Sequence, residues 1–234
     1  MRAIGGDDTS RVASDWEERA AQARSRFEDG AARLPDRGDE RQRQLTRMGN
    51  AAWAAGLSLL MAGRGQESHE WLLRSAETYR RSWEDAPPGS WGRPLGAMKS
   101  RLIAGDLDGA AEDASWALEA GAAESESPIG RYAAALALLV LGEDARAAAV
   151  AATLHGRDDF PPAVADSLAA LAAGDATDYE AAIRALLIDF EARDEFLEDV
   201  PVADTMLALQ VLAGERGLAV RLSSPLLPGG QADA

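Results

Sequence analysis

The sequence contains no cysteine, a single lysine and only two histidines. Without cysteine there is no disulfide, no thiolate nucleophile and no Cys-based zinc site. The histidines, His69 and His155, stand far apart, and neither has a second ligand at helical spacing, so we predict no metal site. Glycine-rich phosphate loops and Gly-x-Ser-x-Gly elbows are also missing from the sequence. We therefore expect no cofactor and no catalytic turnover.

Long apolar runs are missing as well. The longest strongly apolar stretch, residues 132–141, is about half of the ~20 residues that a membrane-spanning helix needs. The first residues also lack the apolar segment of a secretory signal. These features predict a cytoplasmic protein that makes no contact with a membrane.

Negative charge is abundant and unevenly distributed. The formal net charge is −15, yet residues 1–100 hold 16 Arg and Lys against 15 Asp and Glu. Residues 101–200 hold 6 basic residues against 21 acidic ones. Such a surface repels nucleic acid and attracts a basic protein. Two interpretations stay open: the acidic half is a binding surface for a basic partner, or it serves solubility or adaptation to high salt.

Apolar residues recur at steps of three and four along most of the chain, which predicts amphipathic helices. Glycines separate the helical segments at intervals of 32 to 40 residues (Gly65, Gly105, Gly142, Gly174 and Gly214). Such periods are typical of stacked helical hairpins, so we predict an all-α, TPR-like array of about five antiparallel hairpins, an α-solenoid with a short extended C-terminal cap. The predicted domain spans residues 1–228, with an N-terminal helix at 1–35, the hairpin array at 38–214, the cap at 215–228 and a disordered tail at 229–234.

Two helix starts are predicted from capping boxes, in which a Ser or Thr precedes Glu by three positions. The first is Ser14 with Glu17, at the start of the first helix, and the second is Thr177 with Glu180. We also expect Gly105 and Gly142 to follow helix ends in left-handed geometry.

The segment Gly105-Asp106-Leu107 is followed by Ala110, Ala114 and Ala117-Leu118. This spacing resembles the second half of a tetratricopeptide (TPR) repeat. Trp53, Leu60, Ala76 and Pro87 resemble the same pattern with a longer hairpin. The resemblance covers about a third of the chain, and it implies a scaffold that holds partners rather than an enzyme.

The C-terminal half carries a second resemblance. An acidic helix is followed by residues 201–212, by Arg216-Gly217-Leu218-Ala219-Val220 and by Ser224-Pro225-Leu226-Leu227-Pro228. This order is similar to that of the all-helical, Imm49-like bacterial immunity proteins. The resemblance implies neutralisation of a toxin by binding, and it assigns no functional residue.

These features together predict a non-catalytic protein–protein interaction module, with an inhibitor or immunity role toward a basic partner as its sharpest form. Trp91 and Arg93 lie at the start of a helix that follows a Pro-Pro-Gly loop. At this position Trp91 could anchor an interface or pack against the preceding hairpin. The alternative function is a helical enzyme or small-molecule-binding domain with an unrecognised pocket, and the oligomeric state stays open. The candidate partner-binding residues are Trp91, Arg93, Asp178, Glu191, Asp194 and Glu195.

Overall fold

The computed structural model describes residues 6–229, which form ten α-helices and two short 3-10 turns, with no strand among them. The predicted all-α class is therefore confirmed. The helices are α1 (Gly6–Ala32), α2 (Gly38–Met61), α3 (Gly65–Trp83), α4 (Gly92–Ala104), α5 (Leu107–Glu119), α6 (Pro128–Val140), α7 (Asp144–Ala152), α8 (Pro162–Ala173), α9 (Ala176–Glu191) and α10 (Asp204–Glu215). The predicted tail at 229–234 falls, Gly229 apart, outside the described residues.

Four helical hairpins follow one another along the chain: α2 with α3, α4 with α5, α6 with α7 and α8 with α9. A left-handed glycine lies in each hairpin turn, and Gly105 and Gly142 have φ of 78° and 71° as predicted. The expected fifth hairpin turn at Gly214 is wrong, because Gly214 lies inside α10. The described chain thus contains α1, four hairpins and then the single helix α10.

The two capping boxes are also wrong. Helix α1 begins at Gly6, so Ser14 lies within it. Helix α9 is capped by Asp175, whose carboxylate accepts hydrogen bonds from the backbone N–H groups of Thr177 at 2.9 Å and Asp178 at 3.0 Å. A carboxylate placed just before the helix satisfies two free N–H groups and suits the positive end of the helix dipole.

The helices enclose two main apolar cores. One is built from α1, α2 and the start of α3, and the larger one extends from α4 to α10. Val200 and Val202, which precede α10, are buried in the first core although they are distant from it in sequence. Ile103 and Leu207 contact both cores. The connection before α10 therefore links the two cores.

Helix α10 packs against α4 as well as against α8 and α9. In an open array each unit contacts only its neighbours. Here the last helix returns to a helix near the middle of the chain and covers part of the face that an open array would leave free. This return places the segment between α9 and α10 across the N-terminal hairpins.

A buried carboxylate holds α3, α4 and α5 together. Asp113 is 0% exposed, and it accepts hydrogen bonds from Arg101 Nε at 2.7 Å and Arg80 Nη1 at 2.8 Å. Burial raises the pKa of Asp113, while the two arginines act in the opposite direction. A buried charge is tolerated only when it is paired and hydrogen-bonded in this way.

The segment after α10 lies along the larger core without forming a strand within the described residues. Leu227 is buried, and Gln210 bonds to both backbone groups of Val220. Arg216 donates from Nη2 to the carbonyl of Leu139 at 2.7 Å and to Asp144 at 2.8 Å. The arginine of the Arg-Gly-Leu sequence thus binds this segment to the helical hairpins.

The left-handed turn glycines permit a direct test of the hairpin boundaries. Gly105→Ala and Gly142→Ala should each lower the free energy of unfolding by about 1–2 kcal/mol, because a β-carbon is disfavoured in left-handed geometry. Gly65→Ala is the matched control: Gly65 begins α3 without a positive φ, and an added β-carbon meets nothing within 4 Å. Chemical denaturation measures all three, and equal stability of the three variants would contradict the assigned turns.

Candidate functional site

A cleft of about 590 Å³ opens between α2, α3, α4, the start of α6 and the connection before α10. Its walls include the aromatic rings of Trp53, Tyr79 and Trp91, which come from three separate parts of the chain. The volume lies within the range of about 300–1,000 Å³ that is usual for small-molecule sites. This central cleft is the candidate functional site.

Tyr79 is held in the cleft wall by close packing and one hydrogen bond. Its ring lies between Gly49 and Gly96, where added β-carbons would stand 2.8 Å from ring atoms. Its hydroxyl donates to Asn50 Oδ1 at 2.8 Å. Burial, with smaller contributions from Asp204 and Glu198, raises the pKa of Tyr79. The Tyr79 side chain is therefore uncharged at physiological pH.

Trp91 forms part of the same wall and is buried, with only 8% of its surface exposed. Its ring packs against that of Trp83, with centroids 5.6 Å apart, and Trp83 in turn contacts Trp116 edge to face at 5.6 Å. Of the two alternatives open for Trp91, the structure shows the indole packed against the preceding hairpin. The adjacent Pro-Pro-Gly loop allows the indole to fold back onto the preceding hairpin, where burial of its large apolar surface stabilises the fold.

Arg93 also lines the cleft and has only neutral partners. Its Nε donates to Ser82 Oγ at 3.0 Å, and its Nη2 donates to Gln42 Oε1. Among the described residues no carboxylate lies within ion-pair distance of Arg93. Burial lowers the pKa of Arg93, but an arginine stays charged in proteins. The cleft therefore contains a cation whose charge the surrounding chain leaves uncompensated.

Lys99 and Asp204 form an ion pair at the bottom of the cleft, joining α4 to the start of α10. Lys99 Nζ also donates to Thr205 Oγ1 at 2.9 Å. Burial, the largest single influence, would lower the pKa of Lys99, but the charge and hydrogen bond of Asp204 together with Tyr132 outweigh it, and the pKa is raised. Lys99 is thus a bonded cation rather than a free base or nucleophile. The buried hydroxyl of Tyr132 has no hydrogen-bond partner among the described residues.

A smaller cavity of about 240 Å³ continues the cleft beyond Leu197 and includes Glu195 and Arg193 in its lining. The two cavities share Trp53, Lys99, Leu197 and Asp204. Leu197 stands between them and is 52% exposed.

The backbone after Leu197 is unusual. Glu198 and Asp199 have φ of 55° and 57°, a left-handed geometry that is uncommon for side-chain-bearing residues. Helix α1 secures this turn: Arg26 pairs with Glu198 at 3.2 Å, and Arg19 donates to the carbonyl of Asp199 at 2.8 Å. These two contacts keep Leu197 at the mouth of the cleft.

The four predicted acidic residues do not converge on one patch. Asp178 and Glu191 lie at opposite ends of α9, about 20 Å apart at 1.5 Å per residue. Glu191 accepts a hydrogen bond from Ser224 at 2.7 Å and so holds the C-terminal segment. Asp194 and Glu195 are exposed in the turn after α9, and of the two only Glu195 lines the smaller cavity.

The histidines belong to separate parts of the surface. His69 Nδ1 lies 2.9 Å from the carbonyl of Ala104, and His155 Nδ1 lies 3.2 Å from Asp166. Within residues 6–229 no cluster of three or more His, Cys, Asp or Glu side chains could hold a metal ion. No helix in that range is long and apolar enough to cross a membrane.

Trp91 and Arg93, both predicted from the sequence, line the central cleft, and the predicted Glu195 lines the smaller cavity. Tyr79 and Asp204 were not predicted as wall residues, and Trp53 lines the cleft while it is buried in the first core. One signal was available: Lys99 is the only lysine in a chain that otherwise uses arginine. A lysine carries a compact point charge on a flexible stem, whereas an arginine presents a planar fork of five donors, so a lone lysine among arginines marks a position with different requirements.

No protein-family model, no curated protein and no solved structure matches the chain.

The ion pair at the bottom of the cleft can be tested by a double-mutant cycle. Lys99→Met or Asp204→Asn alone should each lower the free energy of unfolding by about 3 kcal/mol, because each leaves a buried charge without its partner. The double variant should lose less than the sum, by a coupling energy of about 1 kcal/mol or more.

The exposed pair Arg146 with Glu143 serves as the control, since its side chains are 60% and 39% exposed. Arg146→Met and Glu143→Gln should show a coupling energy of about 0.5 kcal/mol or less. Urea denaturation of both cycles gives the comparison, and equal coupling in the two pairs would show that Lys99 and Asp204 do not depend on each other.

Proposed function

We propose that the protein is a non-catalytic protein–protein interaction module that binds a basic partner through its acidic half, residues 101–200. The sharpest form of the proposal is an inhibitor of the immunity type, which neutralises a basic protein by occupying its surface. The acidic segment, defined here as residues 175–199, is the part of that half on which the proposal depends.

The observation that carries this proposal is the density of uncompensated negative charge in the acidic segment. It contains nine Asp and Glu residues and only two arginines. Arg184 pairs with Glu180 at 2.7 Å, and Arg193 stacks on the ring of Phe190. Within the described residues, no ion pair is formed by Asp178, Asp189, Asp194 or Glu195. Such a field attracts a basic protein over several ångströms and accelerates its association.

An exposed apolar side chain lies in the middle of this charge. Ile188 of α9 is 64% exposed, more than any other large hydrophobic residue in the described part of the chain. Asp189 follows it directly, and Ala185 is exposed one turn earlier. A small apolar contact surrounded by charged residues has the composition of a protein interface, in which apolar contacts lie within a polar rim.

A TPR-like arrangement of the hairpins is part of the same proposal. Its support is the run of four consecutive hairpins and the left-handed Gly105, which stands where the repeat pattern requires a turn. Arrays of this kind expose long helix surfaces and bind partners along them. The Arg-Gly-Leu and Ser-Pro-Leu-Leu-Pro segments that resemble those of immunity proteins support the inhibitor form.

A charge-neutralised variant tests the proposed surface. The variant combines four substitutions: Asp178→Asn, Glu191→Gln, Asp194→Asn and Glu195→Gln. Partners are first captured from the native organism at low salt with the unmodified protein. We expect the captured protein to be basic, and its association rate with the variant to fall about tenfold at low ionic strength. The rates should converge at high salt, where exposed charges are screened. Stopped-flow kinetics measures both.

The matched control changes four exposed acidic residues of the first half: Glu28→Gln, Glu70→Gln, Glu77→Gln and Glu84→Gln. None of the four glutamates forms an ion pair in the described structure, and the net charge changes by the same amount. Equal association rates for both variants would mean that the acidity acts through solubility or overall charge. For the inhibitor form, the partner's toxicity in a co-expressing host should be relieved by the parent and less by the charge-neutralised variant.

A further inference from the structure

We propose that the central cleft binds a small organic monocarboxylate with an aromatic or branched aliphatic body, whose carboxylate is held by Arg93. The cleft lining takes only Leu197 from the acidic segment, and the site does not depend on the interaction proposed above.

The charges around the cleft determine the sign of the charge that a bound ligand should carry. The single carboxylate at its bottom, Asp204, is matched by Lys99. Arg93 has only the neutral acceptors Ser82 and Gln42, and its Nη1 has no partner among the described residues. The cleft therefore carries one uncompensated positive charge. Helix α4, which begins at the cleft, has no acidic residue in its first turn, so its N-terminal dipole adds to that charge.

The number of free donors favours a carboxylate over a phosphate. Ser82 and Gln42 already occupy Nε and one N–H of Nη2 of Arg93, and the Nη1 donors have no partner among the described residues. One cation with this remaining edge can satisfy a monoanion. A phosphate dianion requires further donors or a second free cation, and Lys99 is already bonded to Asp204 and Thr205.

The apolar walls determine the body of the ligand. Trp53, Tyr79 and Trp91 line the cleft with ring surface. Of the four large hydrophobic side chains that the described chain exposes, two stand at its mouth: Ile129 is 42% exposed and Leu197 is 52% exposed. A ligand that covers both would remove apolar surface from water, at a gain of about 25 cal/mol per Å².

Leu197 is held at the mouth by the turn that follows it, and this turn is bound by side chains of α1. The left-handed residues Glu198 and Asp199 are bound by Arg26 and Arg19 of α1. Sparsely populated backbone geometry of this kind persists only where surrounding contacts impose it, and it occurs frequently at ligand sites. The exposed leucine therefore has a fixed position over the cleft.

The test uses four acids and their primary amides as probes: 4-phenylbutyrate, indole-3-propionate, octanoate and N-acetyl-leucine. Nitrogen-15-labelled protein is titrated with each compound, and the indole N–H signals of Trp53 and Trp91 are followed by NMR. We expect at least one acid to shift both signals saturably, with its amide binding about tenfold more weakly, because the amide has no charge for Arg93. The proposal is overturned if no acid binds more tightly than its amide.

Arg93→Gln should weaken binding of the acid about tenfold or more, which corresponds to the loss of a charge-assisted hydrogen bond. Arg81→Gln is the control, because Arg81 is exposed on α3 and its substitution removes the same charge. Arg93→Lys retains the cation, and it should preserve the preference for acid over amide even if Arg93→Gln fails to fold. Equal weakening by Arg81→Gln and Arg93→Gln would attribute binding to net charge and contradict the assigned site.

Discussion

The ion pair between Lys99 and Asp204 connects α10 to α4, and this connection organises the middle of the molecule. Because Asp204 begins α10, the pair sets where the last helix enters the larger core. The chain before it must then cross the N-terminal hairpins, which buries Val200 and Val202 in the first core. Both the bottom of the cleft and the position of Leu197 at its mouth follow from this path.

The two halves of the chain use charge differently. In the first half arginines pair with nearby or facing carboxylates, as Arg64 does with Glu17 and Glu67. Exposed pairs of this kind contribute little to stability, but they neutralise one another. In the acidic segment most carboxylates have no cation beside them within the described residues, so their charges add to a field around α9. The binding proposal follows from this contrast in local net charge, since residues 1–100 hold nearly equal numbers of basic and acidic residues whereas the acidic segment holds nine acidic residues and two arginines.

The candidate site was only partly predictable. Trp91 and Arg93 were identified through their place after a Pro-Pro-Gly loop, yet the sequence could not show that the indole folds back onto Trp83. Asp178 and Glu191 seemed to share a surface because they belong to one acidic stretch, and helical geometry separates them along α9. The residues that complete the cleft with Arg93, above all Tyr79 and Asp204, are far apart in sequence, and no local pattern relates them.

The sequence by itself determined the helices, their order and four of the five predicted hairpin turns. These depend on short-range physics: apolar residues at steps of three and four define each helix, and Gly105 or Gly142 ends a helix because it adopts left-handed geometry at little cost. Capping was less certain, since α9 begins two residues earlier than the Thr177 box predicts, where the carboxylate of Asp175 accepts from the N–H groups of Thr177 and Asp178.

Only the tertiary structure decided where α10 goes. Its apolar residues lie on all sides of the helix, so the pattern indicates burial without indicating which neighbour supplies it. Helix α10 packs against α4 because Lys99 pairs with Asp204 and because Met206 and Leu209 fit into the larger core. Lys99 and Asp204 are about a hundred positions apart in the sequence. The cleft exists because of that choice, and a long-range contact of this kind leaves no periodic signal in the sequence.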